Sequence, residues 1–132
     1  MNECHFIGRF TADPELKKVS TDSNKDTSVV NFTLAINRKF RKNSGESGKH
    51  VVFLPFEAWD TGAEVICNNF CKGDPIIIER SSARNNNFQN SDGIKVSKIV
   101  FRVEKFQFPS EQGLISRNRL QNDSENHEDD NE

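Results

Sequence analysis

Four aromatic side chains lie where a hydrophobic core has little use for them. Phe40 falls inside NRKFRKN, enclosed by Arg38, Lys39, Arg41 and Lys42. A ring destined for a core is rarely surrounded by four cations. Phe53 and Trp59 belong to VVFLPFEAW, residues 51–59. There a two-residue period sets Phe53, Pro55, Glu57 and Trp59 on one face and Val52, Leu54, Phe56 and Ala58 on the other. If the second set fills a core, the first faces outward. Phe88 stands in SSARNNNFQNSDG, residues 81–93, whose other twelve residues are polar, charged or small, with Arg80 and Arg84 upstream of it. Rings on which unpaired bases stack, beside cations that track phosphates, describe a sequence-tolerant surface for single-stranded nucleic acid. A duplex hides its base faces and cannot use such rings. Candidate phosphate contacts are Arg9, Lys17, Arg38, Lys39, Arg41, Lys42, Lys49, Lys72, Arg80, Arg84, Lys98 and Arg102. Arg38 to Lys42 and Arg84 neighbour the rings most closely in sequence.

Plainer readings exist for each. Phe53 and Trp59 could be buried between subunits, Phe40 could close a hairpin against Val51 or Val52, and Phe88 could anchor its own loop. The cations Lys39, Arg41 and Lys42 could simply keep a strand end soluble. Their joint occurrence on one small domain is what favours a binding face.

Catalysis finds little support. GESGKH, residues 45–50, has the wrong glycine spacing for a phosphate-binding loop, and His50 stands where Ser or Thr should hold magnesium. That segment also joins two strands, whereas the motif leads into a helix. No Ser/His/Asp arrangement or carboxylate pair stands out. Cys67 and Cys71 are four apart, but His5, His50 and His127 are scattered, so nothing completes a metal site. Three cysteines are an odd number and too few for a disulfide scaffold. They read as packing thiols, and neither metal nor cofactor is expected.

The elements that must position the four rings are mostly strands. SVVNFTLAINRKF (28–40) alternates, with Val30, Phe32, Leu34 and Ile36 on one face. Residues 51–59, PIIIERSSAR (75–84) and KVSKIVFRVEKF (95–106) give three more. ECHFIGRFT gives a fifth, with Gly8 hinting at a bulge or a close backbone approach. One helix interrupts them. Thr61-Gly-Ala-Glu64 fits a capping box, Asp60 or Thr61 could cap, and Gly73 suits a left-handed stop after Lys72. Connectors are expected at 13–27, 42–49 and 85–94. Three strands, a helix and two strands is the order of an all-β, five-stranded OB barrel with its helix between strands three and four.

The 132 residues suit one domain, 1–109, followed by an acidic tail, 110–132. The tail carries seven acids against two bases, a net of −5, which leaves 1–109 with sixteen bases against thirteen acids, or +3. A mildly basic body suited to a polyanion therefore bears a solvated tail that reads as disordered. No window is apolar enough to span a membrane, and MNECHFIGRF lacks the form of a secretory signal. A soluble, cytoplasmic protein is expected.

Between Asn2 and Phe108 the chain resembles the bacterial and phage single-stranded-DNA-binding proteins. The likeness rests on FIGRFTADPELKKV, then VVNFTLAINRKFRK, then FEAWDTGAEVICNNFCKGDPIIIE. It implies a non-catalytic OB-fold protein that coats single-stranded DNA in replication, recombination and repair. It also implies a homotetramer, although the residues alone leave a dimer open. By position, Phe40, Phe53, Trp59 and Phe88 match that family's base-stacking aromatics. Three of the four are phenylalanine where the family usually has tryptophan. The family's acidic tail ends in a short hydrophobic tip, Pro then Phe, that docks replication and repair proteins. This chain reads NHEDDNE there, keeping the acid without the tip. A bacterial cytoplasm, or a host cytoplasm for a phage protein, is the expected location. The rival readings are another OB-fold module that binds RNA or serves a primosome, a nuclease on the same fold, and an interaction protein whose rings dock a protein strand.

Overall fold

The computed structural model describes residues 1–20 and 25–109. Six strands and one helix follow in the order β1 (Cys4–Phe10), β2 (Leu16–Ser20), β3 (Asp26–Arg41), β4 (Ser47–Trp59), α1 (Asp60–Asn69), β5 (Pro75–Gln89) and β6 (Lys95–Gln107). The alternation read in β3 is realised: Val30, Phe32 and Leu34 are buried while Asn31 is exposed. Neighbouring strands run β1-β5-β6-β4-β3-β2, and β1 also pairs with β3 through Arg9 opposite Ala35 and Phe10 opposite Leu34. That second pairing closes β1, β3, β4, β5 and β6 into the expected five-stranded barrel. Counting only those five, α1 lies between the third and the fourth.

Closure brings β1 and β3 very near each other at Gly8. A Cβ there would meet the Ala35 carbonyl oxygen at 3.0 Å and the Leu34 Cβ and Ile36 Cγ1 at 3.1 Å. Glycine is therefore needed for space, as its position inside a strand suggested.

β2 was expected to be part of a connector. It pairs antiparallel with β3 from Leu16 opposite Val30 to Ser20 opposite Asp26, and all five of its residues are exposed. LKKVS covers a strand edge without burying either face, so it carries no alternation to read.

The core holds Phe10, Val30, Phe32, Leu34, Phe56, Ala58, Ile76 and Ile78 from the strands, with Ala63 and Ile66 of α1 and Phe70 just beyond it. Phenylalanine rings run through it in mutual contact. Phe6 meets Phe56 and Phe101 edge-on, Phe32 stacks on Phe56 at 5.6 Å, and Phe10 links Phe32 to Phe70. Phe70 in turn touches Phe106 and stacks on Phe108 at 4.9 Å. Offset and edge-on ring pairs add to what area burial alone contributes.

The helix begins differently from the capping box read in the sequence. Trp59 is the N-cap and no side chain caps it, while Asp60 starts the helix at φ 56°. Glu64, the expected return partner of the box, instead accepts a hydrogen bond from Ser28 Oγ at 3.2 Å, with Lys18 Nζ at 3.9 Å. A tertiary partner on β3 has drawn the carboxylate away from its local role. Gly73 is left-handed as expected, at φ 89°, but α1 ends at Asn69. Gly73 serves the turn into β5, donating its N–H to the Phe10 carbonyl at 2.8 Å. Burial pushes the Cys67 thiol above its ordinary pKa, as suits a packing thiol. Among the described residues, no His, Cys, Asp and Glu side chains gather in a group able to hold a metal ion.

Two hairpins outgrow the barrel. β3 and β4 stay paired from Val29 opposite Trp59 out to Arg41 opposite Ser47. β5 and β6 stay paired out to Gln89 opposite Lys95. The connector expected at 85–94 thus shrinks to the turn after Asn90, whose side chain accepts the N–H groups of Asp92 and Ile94 at 3.0 Å each. Phe88 accordingly stands on a paired strand, not on a loop.

Candidate nucleic-acid interface

Eleven phenylalanines occur in the chain, and eight of them form the core's ring network. The three left out are Phe40, Phe53 and Phe88. Phe53 is 63% exposed and Phe88 40%, whereas Phe40 and Trp59 are half-buried.

Strand register decides which rings share a surface. Across β3 and β4, directly opposed residues lie on one side. Phe53 faces Ala35, Glu57 faces Asn31, Lys49 faces Lys39 and Ser47 faces Arg41. Glu57 is also registered with Arg102 across the parallel β4–β6 pair. On the second hairpin Arg102, Val100, Lys98 and Val96 oppose Ser82, Arg84, Asn86 and Phe88. Phe53, Trp59 and Phe88 therefore belong to a single outer face that runs across β3, β4, β6 and β5. Lys39, Arg41, Lys49, Arg84, Lys98 and Arg102 lie on it with them.

Phe40 does not. It opposes Gly48, in the row that continues the buried line of Phe32 and Leu34 on the other side of the hairpin. Its ring stacks on His50, centroid to centroid 4.5 Å and nearly parallel at 17°. Arg38, opposite His50, shares that side. Flanking charge marks Phe40 and alternation marks Phe53, but the twelve residues between them include a turn. Only the register of the turn settles their relative parity.

The cations also divide. Lys98 Nζ lies 5.8 Å from the centre of the Phe88 ring, and the Arg102 guanidinium lies 5.3 Å from that of Trp59. Arg102 is held there by Glu57, at 2.8 Å and only 14% exposed. The Glu57–Arg102 clasp over Trp59 joins residues 45 apart and leaves no local signal in the sequence, although alternation does set Glu57 on this face. Trp59 Nε1 is buried with no hydrogen-bond partner. Arg80 is tied to Glu104 at 2.9 Å. Beside it, a hydrogen bond from Gln107 and the Lys105 ammonium hold the Glu79 carboxyl below its usual range. Arg9 stands in the row of Ala35 and donates to the Gly73 carbonyl at 2.9 Å. Lys72 lies on the turn after α1, where its backbone N–H donates to Asp13 at 2.7 Å. Lys42 sits in the tip turn of the first hairpin, and Lys17 on β2 opposite Val29.

Lys39 and Lys49 make the most informative charge pair. They lie directly opposite each other, an arrangement that repels in the free protein. A phosphate received between them turns that repulsion into attraction. If they serve that purpose, Lys39→Ala lowers the slope of log affinity against log salt by about 0.7 for a single strand. Filter-binding titrations across several salt concentrations read this directly, and an unchanged slope removes Lys39 from the interface. A cleft of about 380 Å³ lies beside this face, between Thr11–Pro14, Asn31, Thr33, Pro55 and Asn86.

The family model for the single-strand binding protein family matches residues 1–109. The chain belongs to that family. It is 33% identical over 108 residues to single-stranded DNA-binding protein 2 of Clostridium acetobutylicum, covering 80% of this chain and 76% of the relative. With single-stranded DNA-binding protein 3 of the same organism it is 34% identical over 128 residues, covering 96% and 82%. A solved structure described as the Plasmodium falciparum SSB complex with ssDNA superposes with a TM-score of 0.68. That match has 19% identity and covers 81% of this chain and 91% of the other. At that identity the match speaks for the fold, which is that of the single-strand binding family.

Proposed function

We propose that this protein binds single-stranded DNA without regard to sequence, coating and protecting it during replication, recombination and repair. The observation that carries the reading is the face described above. Phe53, Trp59 and Phe88 are left out of an otherwise continuous network of aromatic rings and share one barrel surface with six cations. Base stacking is worth roughly 1–3 kcal/mol per ring, so three rings outweigh any single ion pair on that surface. Membership of the family and the names of the relatives support the same ligand. The protein acts by binding, without catalysis.

Phe53, Trp59 and Phe88 serve as stacking platforms, with Lys39, Arg41, Lys49, Arg84 and Lys98 on the phosphates. Lys42 and Lys72 are peripheral to this face, Arg9 shares the row of Ala35 and Phe53 but spends a donor on the Gly73 carbonyl, and Arg80 contributes less because Glu104 already neutralises it. Residues 1–109 form the binding domain and 110–132 an acidic appendage. The disorder expected of residues 110–132 lies outside the described residues. No helix among the described residues is long and apolar enough to cross a membrane, and a cytoplasmic location fits a DNA-coating role.

The functional unit is a homo-oligomer, with a tetramer following from the family resemblance. β1 ends the strand order, and between Cys4 and Gly8 it has β5 as its partner on one side only among the described residues. Ile7, 66% exposed, stands opposite half-buried Ile77 there. A second copy added at this edge covers both. Sedimentation equilibrium of the full chain should give a multiple of the 15.1 kDa protomer, and a concentration-independent monomer refutes assembly.

The test of binding uses the chain's only tryptophan. Titration with oligo-dT should quench Trp59 fluorescence strongly and saturably, since a base stacks on or beside the indole. Matched oligo-rU should compete poorly. Saturable binding without any change at Trp59 removes that residue from the interface, and equal competition by oligo-rU rejects the DNA assignment.

A further inference from the structure

Of the six cations that share the outer face with Phe53, Trp59 and Phe88, one is unlike the rest. Lys39, Arg41, Lys49, Arg84 and Lys98 have no ion-pair partner among the described residues. Arg102 donates its Nε–H to Glu57 Oε1 at 2.8 Å. The two charges cancel, so Arg102 has little left to offer a phosphate. The barrel itself sets this pair. Glu57 is registered with Arg102 across the parallel β4–β6 seam and with Asn31 across β3 and β4. Two ladders thus fix its backbone, and its side chain is only 14% exposed. The Arg80–Glu104 pair is far more open on both sides, where an ion pair holds little.

A hydrogen bond from Nε lies in the plane of the guanidinium, so it also fixes how that plane stands. The guanidinium carbon lies over the Trp59 ring, 5.3 Å from its centre, within reach of an attractive cation–ring contact. Its two terminal nitrogens have no hydrogen-bond partner among the described residues. Trp59 is half-buried, with its Nε1 shut away from solvent and unpartnered. The indole therefore does not present its whole ring at this end of the face, and a second flat group lies on it. A tie across the β4–β6 seam, registered at only two residue pairs, accounts for the ion pair. It does not account for a planar cation laid over one of the three rings of the binding face.

We propose that Arg102 is a stacking platform for a base and that Glu57 is the residue that positions it. Glu57 holds the guanidinium over Trp59 and withholds its charge from the phosphates. The base lies on the guanidinium, and the indole backs it. Guanidinium planes receive unpaired bases as aromatic rings do. This rests on the single-strand binding proposed above and adds a contact that releases no counterion. It also gives Arg102 a part different from that of the five unpaired cations around it.

Three variants separate this role from a phosphate contact and from a plain tie between strands. Each is titrated with oligo-dT at several salt concentrations, and a thermal melt establishes that it is folded. Arg102→Lys keeps the charge and loses the plane. It should weaken binding about fivefold, the low end for one stacking contact, with the parent's salt slope. Glu57→Gln is nearly isosteric and frees the guanidinium for the phosphates. Its slope of log affinity against log salt should steepen by about 0.7. Glu57→Gln combined with Arg102→Met removes both charges. Its slope should return to the parent's, with affinity still about fivefold lower.

A double variant whose slope falls about 0.7 below the parent's shows that Arg102 meets a phosphate in the native protein. Arg102→Lys binding as tightly as the parent shows that the plane is not used. An unchanged slope in Glu57→Gln shows that the carboxylate withholds nothing. Each of these results overturns the proposal while leaving Phe53 and Phe88 standing. So does a lower melting midpoint with unaltered binding by the folded variants, the mark of a tie across the seam. If the parent protein binds no oligo-dT, the failure belongs to the proposed function itself.

Discussion

Phe53→Ala weakens binding of oligo-dT by about 1–3 kcal/mol, or roughly 5- to 150-fold, without destabilising the fold. Both halves of this expectation follow from where the ring lies. At 63% exposure it contributes little to the core, and no core ring touches it. Its removal leaves the chemistry of the protein interior unchanged and takes a flat surface away from the ligand. Because the variant keeps every cation, its salt dependence stays that of the parent, in contrast to the flattened slope expected of Lys39→Ala. Fluorescence titration and a urea melt on the same preparation check the two halves. A variant that binds normally shows that the ring's exposure has another purpose. One that unfolds shows that Phe53 belongs to the interior after all.

Phe56→Ala has the opposite signature. Three residues along the same strand but on the other face, Phe56 is 1% exposed and in ring contact with Phe6, Phe32 and Phe101. Truncating a fully buried phenylalanine typically costs about 3–5 kcal/mol, from lost transfer energy and the cavity left behind. Set against a total stability of roughly 5–15 kcal/mol for a domain, that is a large fraction. Here the centre of the ring network is removed, and several neighbours lose their packing partner at once. The melt midpoint should fall steeply, and DNA binding should be lost only in proportion to the unfolded fraction. A loss below about 1 kcal/mol contradicts the assignment of Phe56 to the centre of the core. Together the two variants test the alternation of β4 with the same side chain, removed once from each face.

Much of this organisation was legible in the residues. The strand order, the position of the helix and the faces of β3 and β4 follow from a two-residue period interrupted once by a longer one. The exclusion of Phe53 and Trp59 from the core follows from the same period. Legibility failed where local signals were absent or overruled. LKKVS buries neither face, so β2 shows no pattern. Asn85, Asn86 and Asn87 look like loop residues by type, yet β6 offers them an antiparallel partner, and backbone pairing extends the strand regardless of side chain. Glu64 fits a cap by spacing but was claimed by Ser28 and Lys18 from elsewhere in the chain.

The sequence by itself determined which side chains this protein keeps out of its core, because alternation and flanking charge are properties of short segments. It also determined that rings and cations occur together, and so the class of ligand they suit. What only the tertiary structure decided is how those groups are shared between surfaces. Phe53, Trp59 and Phe88 meet on one face, Phe40 and His50 lie behind it, and Arg80 and Arg102 are already engaged by Glu104 and Glu57. The physical reason is that parity within a strand is local, whereas parity between strands depends on register. Register is fixed by turns, bulges and barrel closure, which join residues far apart in the chain.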